Sequence, residues 1–532
     1  MGGTGNTQER EIMLPSPNEF GLPEKYNKWR PNQAEAVLAA LKPSPRFLLQ
    51  VAPTGFGKSG CAIATGQLFP ERTIILTSTK GLQTQYMHDF GSMDGVVDIR
   101  GRGNYPCRLN TKVSCDAGLC AFGVPCTMKS EGGCFYFDRL REARKAKIVI
   151  TNYSYWMSQN EYSEGIGKFG LMILDEAHAA YSHVLDHVAV SFSKQSRIET
   201  QLLGLNGSLP NTVEEWSDWA EERTYEIEDV VNKAKAERKE KLFIQLKLLL
   251  EKTKRLNERI NSSWVWEDTQ SNVVLSPIWP LPYTETVLFL GIPKIVLTSA
   301  TIVPKTLKLL TASSDVKFVE YPHSFLVENR PLIHTPTVRI NYKAGEYEEK
   351  MWLTKLDNLI RDRIDRKGII HTVSYKRRDL VLERSKYKEY MITHNNMDTE
   401  SVVRTFKTSK TPCILVSPSM ATGWDFPGDE LRWQIIVKVP FPDIQGVIVK
   451  ERMKQDKDFA AYITMQQLIQ ATGRGVRNVE DWCETIILDN SIEWFLKSYS
   501  HLSVDWFKGA YRVSRMLPKP LKNNEQQNKE VV

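Results

Sequence analysis

At 532 residues the chain is too long for one hydrophobic core, and roughly three or four domains are expected. A composition of 41% apolar and 25% charged residues excludes disordered and fibrous classes, and no apolar run reaches the roughly 18 residues that cross a bilayer. The net charge of +7 suits a polyanionic partner, although a surface this large carries such a charge equally well as a solvated coat.

The start, Met1-Gly-Gly-Thr-Gly-Asn6, lacks the apolar core of a secretory signal and the Ser or Thr of a myristoylation site. A cytoplasmic protein that meets no membrane is expected. Short apolar runs rich in β-branched residues and Leu then recur along the chain. In the first half they are Phe47–Val51, Thr73–Thr77, Ile148–Thr151, Leu171–Leu174 and Lys294–Leu297. In the second half they are Gly368–Val373, Ile414–Ser417, Trp433–Val439 and Thr485–Leu488. Each precedes polar or helix-like sequence, the pattern of covered parallel strands in α/β units, and their grouping predicts two α/β domains. From about 190 to 262 the texture changes. Leu242, Leu246, Leu249, Leu256 and Ile260 share one helical face opposite Lys and Glu, so an amphipathic helix or helical hairpin is expected. The polar tail after Lys519 reads as disordered.

Two motifs in the first half carry phosphate chemistry. Ala52-Pro-Thr-Gly-Phe-Gly-Lys-Ser59 follows a strand and precedes a helical segment. It departs from the phosphate-loop pattern only at Ala52. Thr54, Gly55 and Gly57 would present backbone N–H groups to phosphate oxygens, Lys58 would supply a cation, and Ser59 would ligate Mg²⁺. Asp175 and Glu176 end an apolar strand, where an α/β sheet presents reactive groups. There Asp175 would hold Mg²⁺ and Glu176 would orient and deprotonate a water. In the second half, Gln470-Ala-Thr-Gly-Arg-Gly-Val-Arg477 sets Arg474 and Arg477 three residues apart. Alone they are an ordinary surface pair; beside Lys58 and Asp175 they become candidate arginine fingers on ATP.

Five of the eight cysteines, Cys107, Cys115, Cys120, Cys126 and Cys134, fall between these first two motifs. Such clustering in a reducing compartment reads as metal or cluster binding rather than disulfides. Four thiolates suit tetrahedral Zn²⁺ and a [4Fe–4S] cluster alike, and the absence of any Cys-x₂-Cys pair argues modestly against zinc. Cys61, Cys413 and Cys483 sit in or beside apolar stretches and read as small buried hydrophobes. Phe135, Tyr136, Phe137, Arg139, Arg141, Arg144, Lys145 and Lys147 follow the last clustered cysteine. The rings suit a core cluster, and the basic groups suit a nucleic-acid backbone.

Together these motifs resemble superfamily 2 helicases, and within them the XPD/DinG group of iron–sulfur DNA helicases, from about Arg30 to Asp489. Arg30-Pro-Asn-Gln33 is similar to the Q motif, which implies adenine contact by Gln33. Thr77–Gln85 is similar to motif Ia and Thr298-Ser-Ala-Thr301 to motif III. Val416–Pro427 is similar to motif V, with Gly423 and Asp425 in its signature places, and Gln470–Arg477 to motif VI. Around His371–Tyr375 the match to motif IV is weak. Asp489-Asn-Ser491 lacks the basic residue of the family's acidic–x–basic signature. His178, closing Asp175-Glu-Ala-His178, is expected to link this motif to the second domain. The resemblance favours [4Fe–4S] over Zn²⁺, with Cys107 and Cys134 as outer ligands and Cys120 and Cys126 between them; Cys115 is spare or replaces Cys120.

The expected fold is α/β: two RecA-like parallel-sheet domains with an inserted iron–sulfur domain and a helical arch. The expected boundaries are an extension over 1–24, RecA-like domain 1 over 25–105, 141–185 and 266–309, the cysteine insertion over 106–140, the arch over 186–265, RecA-like domain 2 over 310–515, and a tail over 516–532. The implied activity is a monomeric ATP- and Mg²⁺-dependent helicase moving 5′-to-3′ on single-stranded or forked DNA. The rival is a nucleotide-gated DNA-binding or recruitment module that does not unwind.

Overall fold

The computed structural model describes residues 14–122, 125–237, 239–341, 344–395, 397–419, 424 and 426–521. The first lobe opens with strands β1 (Phe47–Val51), β2 (Thr73–Thr77), β3 (Val96–Asp98), β4 (Ile148–Asn152) and β5 (Leu171–Asp175). Next come β6 (Val190–Ser193), β7 (Trp264–Asp268) and β8 (Asn272–Pro277), which form a separate antiparallel sheet. Then β9 (Lys294–Ser299) and β10 (Val316–Glu320) return to the first sheet. Its order is β10-β1-β9-β5-β2-β4-β3, all parallel.

The second lobe contains β11 (Leu332–His334), β12 (Gly368–His371), β13 (Met391–Thr393), β14 (Ile414–Ser417), β15 (Trp433–Ile436), β16 (Glu484–Ile487) and β17 (Tyr511–Val513). They form a second all-parallel sheet in the order β13-β14-β12-β15-β16-β11-β17. The chain is thus α/β with two parallel-sheet lobes. The strands read as continuous apolar runs because both faces are covered. In β1, Phe47 and Leu49 enter one core and Leu48 the other; Ile74 and Ile75 of β2 divide in the same way.

Several boundaries differ from the sequence expectation. The hairpin of helices Val213–Ala236 and Glu240–Arg259 stands on the β6-β8-β7 sheet, so the inserted unit extends to Pro277 rather than ending at 265. The hairpin's buried seam holds Leu246, Leu249 and Leu256 as the helical period requires, and also Trp216 and Ile227 of the first helix. β10 pairs with β1, so the first lobe continues to Glu320 rather than to 309. It was missed because Lys317 and Phe318 at this sheet edge face solvent, leaving no apolar run to read. Of the tail, 516–521 folds back on the second lobe: Arg363 Nη2 donates to Pro518 O at 2.9 Å and Arg366 Nη1 to Leu521 O at 2.6 Å. The rest of the tail lies outside the described residues. Cys61, Cys413 and Cys483 are all buried. Among the described residues, no helix is long and apolar enough to cross a membrane.

Candidate nucleotide site between the lobes

The phosphate-type loop joins β1 to the helix Lys58–Leu68. Gly55 and Gly57 have φ of +80° and +86°, a region open to glycine at little cost, and a Cβ at Gly57 would collide with the Gln33 amide. Arg30 and Gln33 hold the loop from below: Arg30 Nη1 donates to Gly55 O at 2.8 Å and Gln33 Nε2 to Phe56 O at 2.6 Å. Lys58 Nζ lies 3.4 Å from Ala52 O and 3.7 Å from Glu176 Oε1.

Asp175 ends β5 and is 1% exposed. Its Oδ2 accepts from Tyr86 Oη at 2.9 Å and its Oδ1 from the Glu176 amide at 2.9 Å. Burial, with the Glu176 charge beside it, pushes the Asp175 carboxyl up to about 6. Burial also acts on Glu176, but Lys58, His178 and Ser299 outweigh it and hold that carboxyl below the usual range. A buried carboxylate whose charge is poorly compensated suits a divalent cation, so Asp175 fits Mg²⁺. Tyr86 was not singled out in the sequence; nothing in its spacing marks it.

From Glu176 a line of hydrogen bonds crosses to the second lobe. Ser299 Oγ donates to Glu176 Oε2 at 3.2 Å, and His178 Nδ1 lies 2.8 Å from Ser299 Oγ. His178 Nε2 meets Gln470 Nε2. One proton order satisfies every group: Gln470 donates to His178 Nε2, His178 Nδ1–H donates to Ser299, and Ser299 donates to Glu176. The helix Phe459–Thr472 makes two further contacts on the same face. Gln466 Nε2 donates to Thr301 O at 2.8 Å, and Tyr462 Oη lies 2.8 Å from Thr306 Oγ1. Tyr462, Gln466 and Gln470 are spaced by four, so one helical row reads the first lobe. That spacing was the available signal for Gln466.

Arg474 is 8% exposed and its Nη1 donates to Trp424 O at 2.8 Å. The Arg477 amide donates to Asp481 Oδ2 at 3.2 Å, and a Cβ at Gly55 would lie 3.3 Å from Arg477 O. The phosphate-type loop and the arginine segment therefore face each other. Thr54 and Gly473 also adjoin across the lobes. Ser59 lies in the first turn of the loop's helix beside Tyr86. Gly423 and Asp425 lie outside the described residues.

The cysteine cage is not assembled as expected. Among the described residues, no three His, Cys, Asp or Glu side chains gather where they could hold one metal ion. Pro106 bridges Ser114, and the Cys115 amide donates to Tyr105 O, which turns Cys115 inward. Cys115 and Cys134 are 2% and 9% exposed, with their sulfurs 4.0 Å apart. The cysteine read as spare is thus the one packed on Cys134. Cys120 Sγ instead accepts from Arg102 Nη2 at 3.4 Å, and Cys126 stands at the N-terminal boundary of the short helix Thr127–Ser130, where its side chain makes no capping hydrogen bond. These placements do not fit the four-ligand set Cys107, Cys120, Cys126 and Cys134.

The basic residues after Cys134 also differ from expectation. Arg139 binds Asp98 at 2.8 Å and Glu142 at 2.8 Å, Arg141 pairs with Asp138, Arg144 with Glu164, and Lys147 donates to three backbone carbonyls. These charges are used inside the chain. The rings divide: Tyr136 is buried against Tyr155, while Phe135 is 46% exposed.

Two family models match the chain: the type III restriction enzyme res subunit over 26–205 and the helicase C-terminal domain over 360–510. No curated protein matches it. Solved structures described as an XPD helicase and as apo XPD align over 91% of this chain at 15% identity. They are covered to 98% and 100% of their own lengths, with TM-scores of 0.62 and 0.59. S. tokodaii Xpd4 aligns over 91% of this chain and 100% of its own at 13% identity, with a TM-score of 0.59. The two family models, with the fold, support a helicase-type, nucleic-acid-dependent ATPase. Its fold is that of the XPD structures.

Proposed function

We propose that the chain is an ATP-driven DNA helicase that moves 5′-to-3′ along a single strand and separates duplexes, acting as a monomer in the cytoplasm. The observation that carries this reading is the unbroken line Gln470–His178–Ser299–Glu176, which ties a catalytic-type carboxylate on one lobe to a helix on the other. A device of that kind makes sense where cleavage at the carboxylate must move a second body.

In this reading, phosphate oxygens draw Lys58 away from Glu176, and the loop amides around Thr54, Gly55 and Gly57 cradle them. Arg30 and Gln33 fix the loop and take the base side. Mg²⁺, held by Asp175 and Ser59, would neutralise charge developing on the phosphates. Glu176, freed from Lys58, orients the attacking water and accepts its proton. Arg474 and Arg477 close on the phosphates from the second lobe. Loss of the γ-phosphate releases the arginines, and the row through Gln470 transmits the opening. Residues 106–140 and the helical hairpin are the natural obstacles for a duplex. No step passes through a metal cluster. The choice of DNA and the direction rest on the resemblance to the XPD/DinG group.

The reading is tested by strand displacement on forked duplexes bearing only a 5′ or only a 3′ tail. ATP-dependent displacement from the 5′ tail is expected. If ATP turnover responds to single strands but neither substrate opens, the rival of a nucleotide-gated binding module replaces it.

A further inference from the structure

The second lobe carries a cavity of about 760 Å³ that the nucleotide chemistry does not use. That volume is in the range of about 300–1,000 Å³ typical of small-molecule sites. It lies at the amino-terminal ends of β12, β14, β15 and β16, and its lining holds five cations, Arg366, Lys367, Lys407, Lys410 and Arg432, beside three carboxylates, Asp365, Asp429 and Glu430. Three of them are matched by carboxylates. Arg366 pairs with Asp365 at 3.0 Å, Lys407 with Glu430 at 3.1 Å, and Arg432 with Asp429 and Asp481 at 2.7 Å each.

The other two are not. Among the described residues, neither Lys367 nor Lys410 has a carboxylate within ion-pair distance. Lys367 is 6% exposed; its ammonium donates to Phe406 O at 2.8 Å and Lys407 O at 2.9 Å in the last turn of the helix Thr399–Thr408 and lies 5.4 Å from the Phe406 ring centre, so partial negative charges but no carboxylate face it. Burying a charge that lacks a counter-charge is costly, so a site of this kind is completed by an anion. A second observation points the same way. Trp482 lines the cavity at 6% exposure, and its Nε1–H is a buried donor without an acceptor. The guanidinium carbons of Arg432 and Arg366 lie 4.7 and 5.2 Å from its ring centre. The wall therefore offers two cations without a carboxylate partner and a donor without an acceptor, and suits a ligand rich in acceptor oxygens.

We propose that this cavity binds a small polyphosphate-type anion, with Lys367 and Lys410 balancing its charge and Trp482 Nε1 donating to one of its oxygens. The site reaches the nucleotide side through Asp481, whose Oδ1 holds Arg432 and whose Oδ2 accepts from the Arg477 amide. Arg432 is therefore placed to report an anion to the turn that carries Arg477.

The test uses the full-length chain carrying Lys58→Ala, so that the phosphate loop is disabled, and sodium pyrophosphate as the probe. Calorimetry is expected to retain one binding site. Hydrogen exchange is expected to slow in segments 407–411 and 427–432. Adding Lys410→Glu, at an exposed position where folding is not at stake, is expected to raise Kd about tenfold or more. Trp482→Phe should weaken binding less. Unchanged affinity in the Lys410→Glu protein, or unslowed exchange in both segments, overturns the proposal. So does slowing produced by a single-stranded oligonucleotide but not by pyrophosphate, which would make the cavity a nucleic-acid backbone contact.

Discussion

Lys58 Nζ lies 3.7 Å from Glu176 Oε1, so the amine placed for phosphate and the carboxylate placed for water rest against one another. Lys58 helps to hold Glu176 in its charged form, and a triphosphate must compete for Lys58 before Glu176 is free to act. Lys58→Ala is therefore expected to abolish ATP turnover. Glu176→Gln should slow it by about 10²- to 10⁴-fold, the usual span of a general base, while ATP still binds. Phosphate release and nucleotide-binding assays on the two variants separate these outcomes. Turnover at the normal rate in Lys58→Ala would remove that residue from its assigned place.

Asp175 gives the site a pH dependence with a definite sign. Its carboxyl is pushed up to about 6 by burial and by Glu176, so it holds its proton to higher pH when folded than when unfolded. In the metal-free protein its own contribution to stability is present below the ordinary carboxylate range and is lost as pH rises through about 6. Mg²⁺ requires the deprotonated form, so its affinity should fall roughly tenfold per unit below that pH. Mg²⁺ titrations of ATP hydrolysis at pH 5.5 and 7.5 should differ accordingly, and Asp175→Asn should remove both the Mg²⁺ dependence and the acid limb. A half-saturating Mg²⁺ concentration independent of pH would contradict the assignment.

Much of this architecture was legible because its signals are local. The nine apolar runs became strands, since a strand covered on both faces is apolar at most positions. The loop Ala52–Ser59 was legible because glycine at φ near +80° and a lysine at a helix start leave few alternatives. What stayed hidden depends on contacts distant in sequence. Tyr86 reaches Asp175 across 89 residues, and no periodicity points to it. The arginines after Cys134 resembled a nucleic-acid face, yet their carboxylate partners Asp98 and Glu164 lie on separate segments. Asp489 lacked its expected basic companion. Its carboxylate accepts from the amides of Ile340, Val439 and Ser491, so it organises three chain segments without one.

The cysteine segment illustrates the same limit and yields a labelling pattern. Spacing alone could not say which sulfurs meet, because the Pro106–Ser114 bridge decides it. Cys115 is buried, and burial with Cys134 beside it pushes its thiol up to about 11, so little thiolate exists near neutrality. Cys107, Cys120 and Cys126 are partly exposed. Brief maleimide treatment at pH 7.5 followed by peptide mass spectrometry should modify these three well before Cys115. Cys115 among the first residues labelled would rule out the packing described.

Arg363 and Glu484 form an ion pair at 0% and 1% exposure, with both guanidinium contacts under 3 Å: 2.8 Å from Nε and 2.9 Å from Nη2. Glu484 starts β16, so the pair locks a strand next to the arginine segment. Arg363→Ala would strand a buried carboxylate and should cost about 3–5 kcal/mol of second-lobe stability in urea unfolding. Replacing both partners by apolar residues of like volume should recover most of that. A loss under 1 kcal/mol in the single variant would show that water reaches Glu484.

Gln470 tests whether the lobes speak through the line from His178 to Glu176. Its amide touches no reacting atom, so Gln470→Ala should leave ATP binding intact. The variant removes the donor that fixes the proton of His178 on Nδ1, and with it the hydrogen that Ser299 receives. Glu176 then loses an ordered neighbour, and basal hydrolysis should fall by less than about tenfold, the scale of one neutral hydrogen bond. Stimulation by single-stranded nucleic acid depends on the whole line and should fall much further. His178→Ala should match it, and the double variant should be no worse than either single one, because both cut one path. Additive losses in that cycle, or stimulation that survives Gln470→Ala, would mean that the row Tyr462–Gln466–Gln470 holds the lobes together without carrying their coupling.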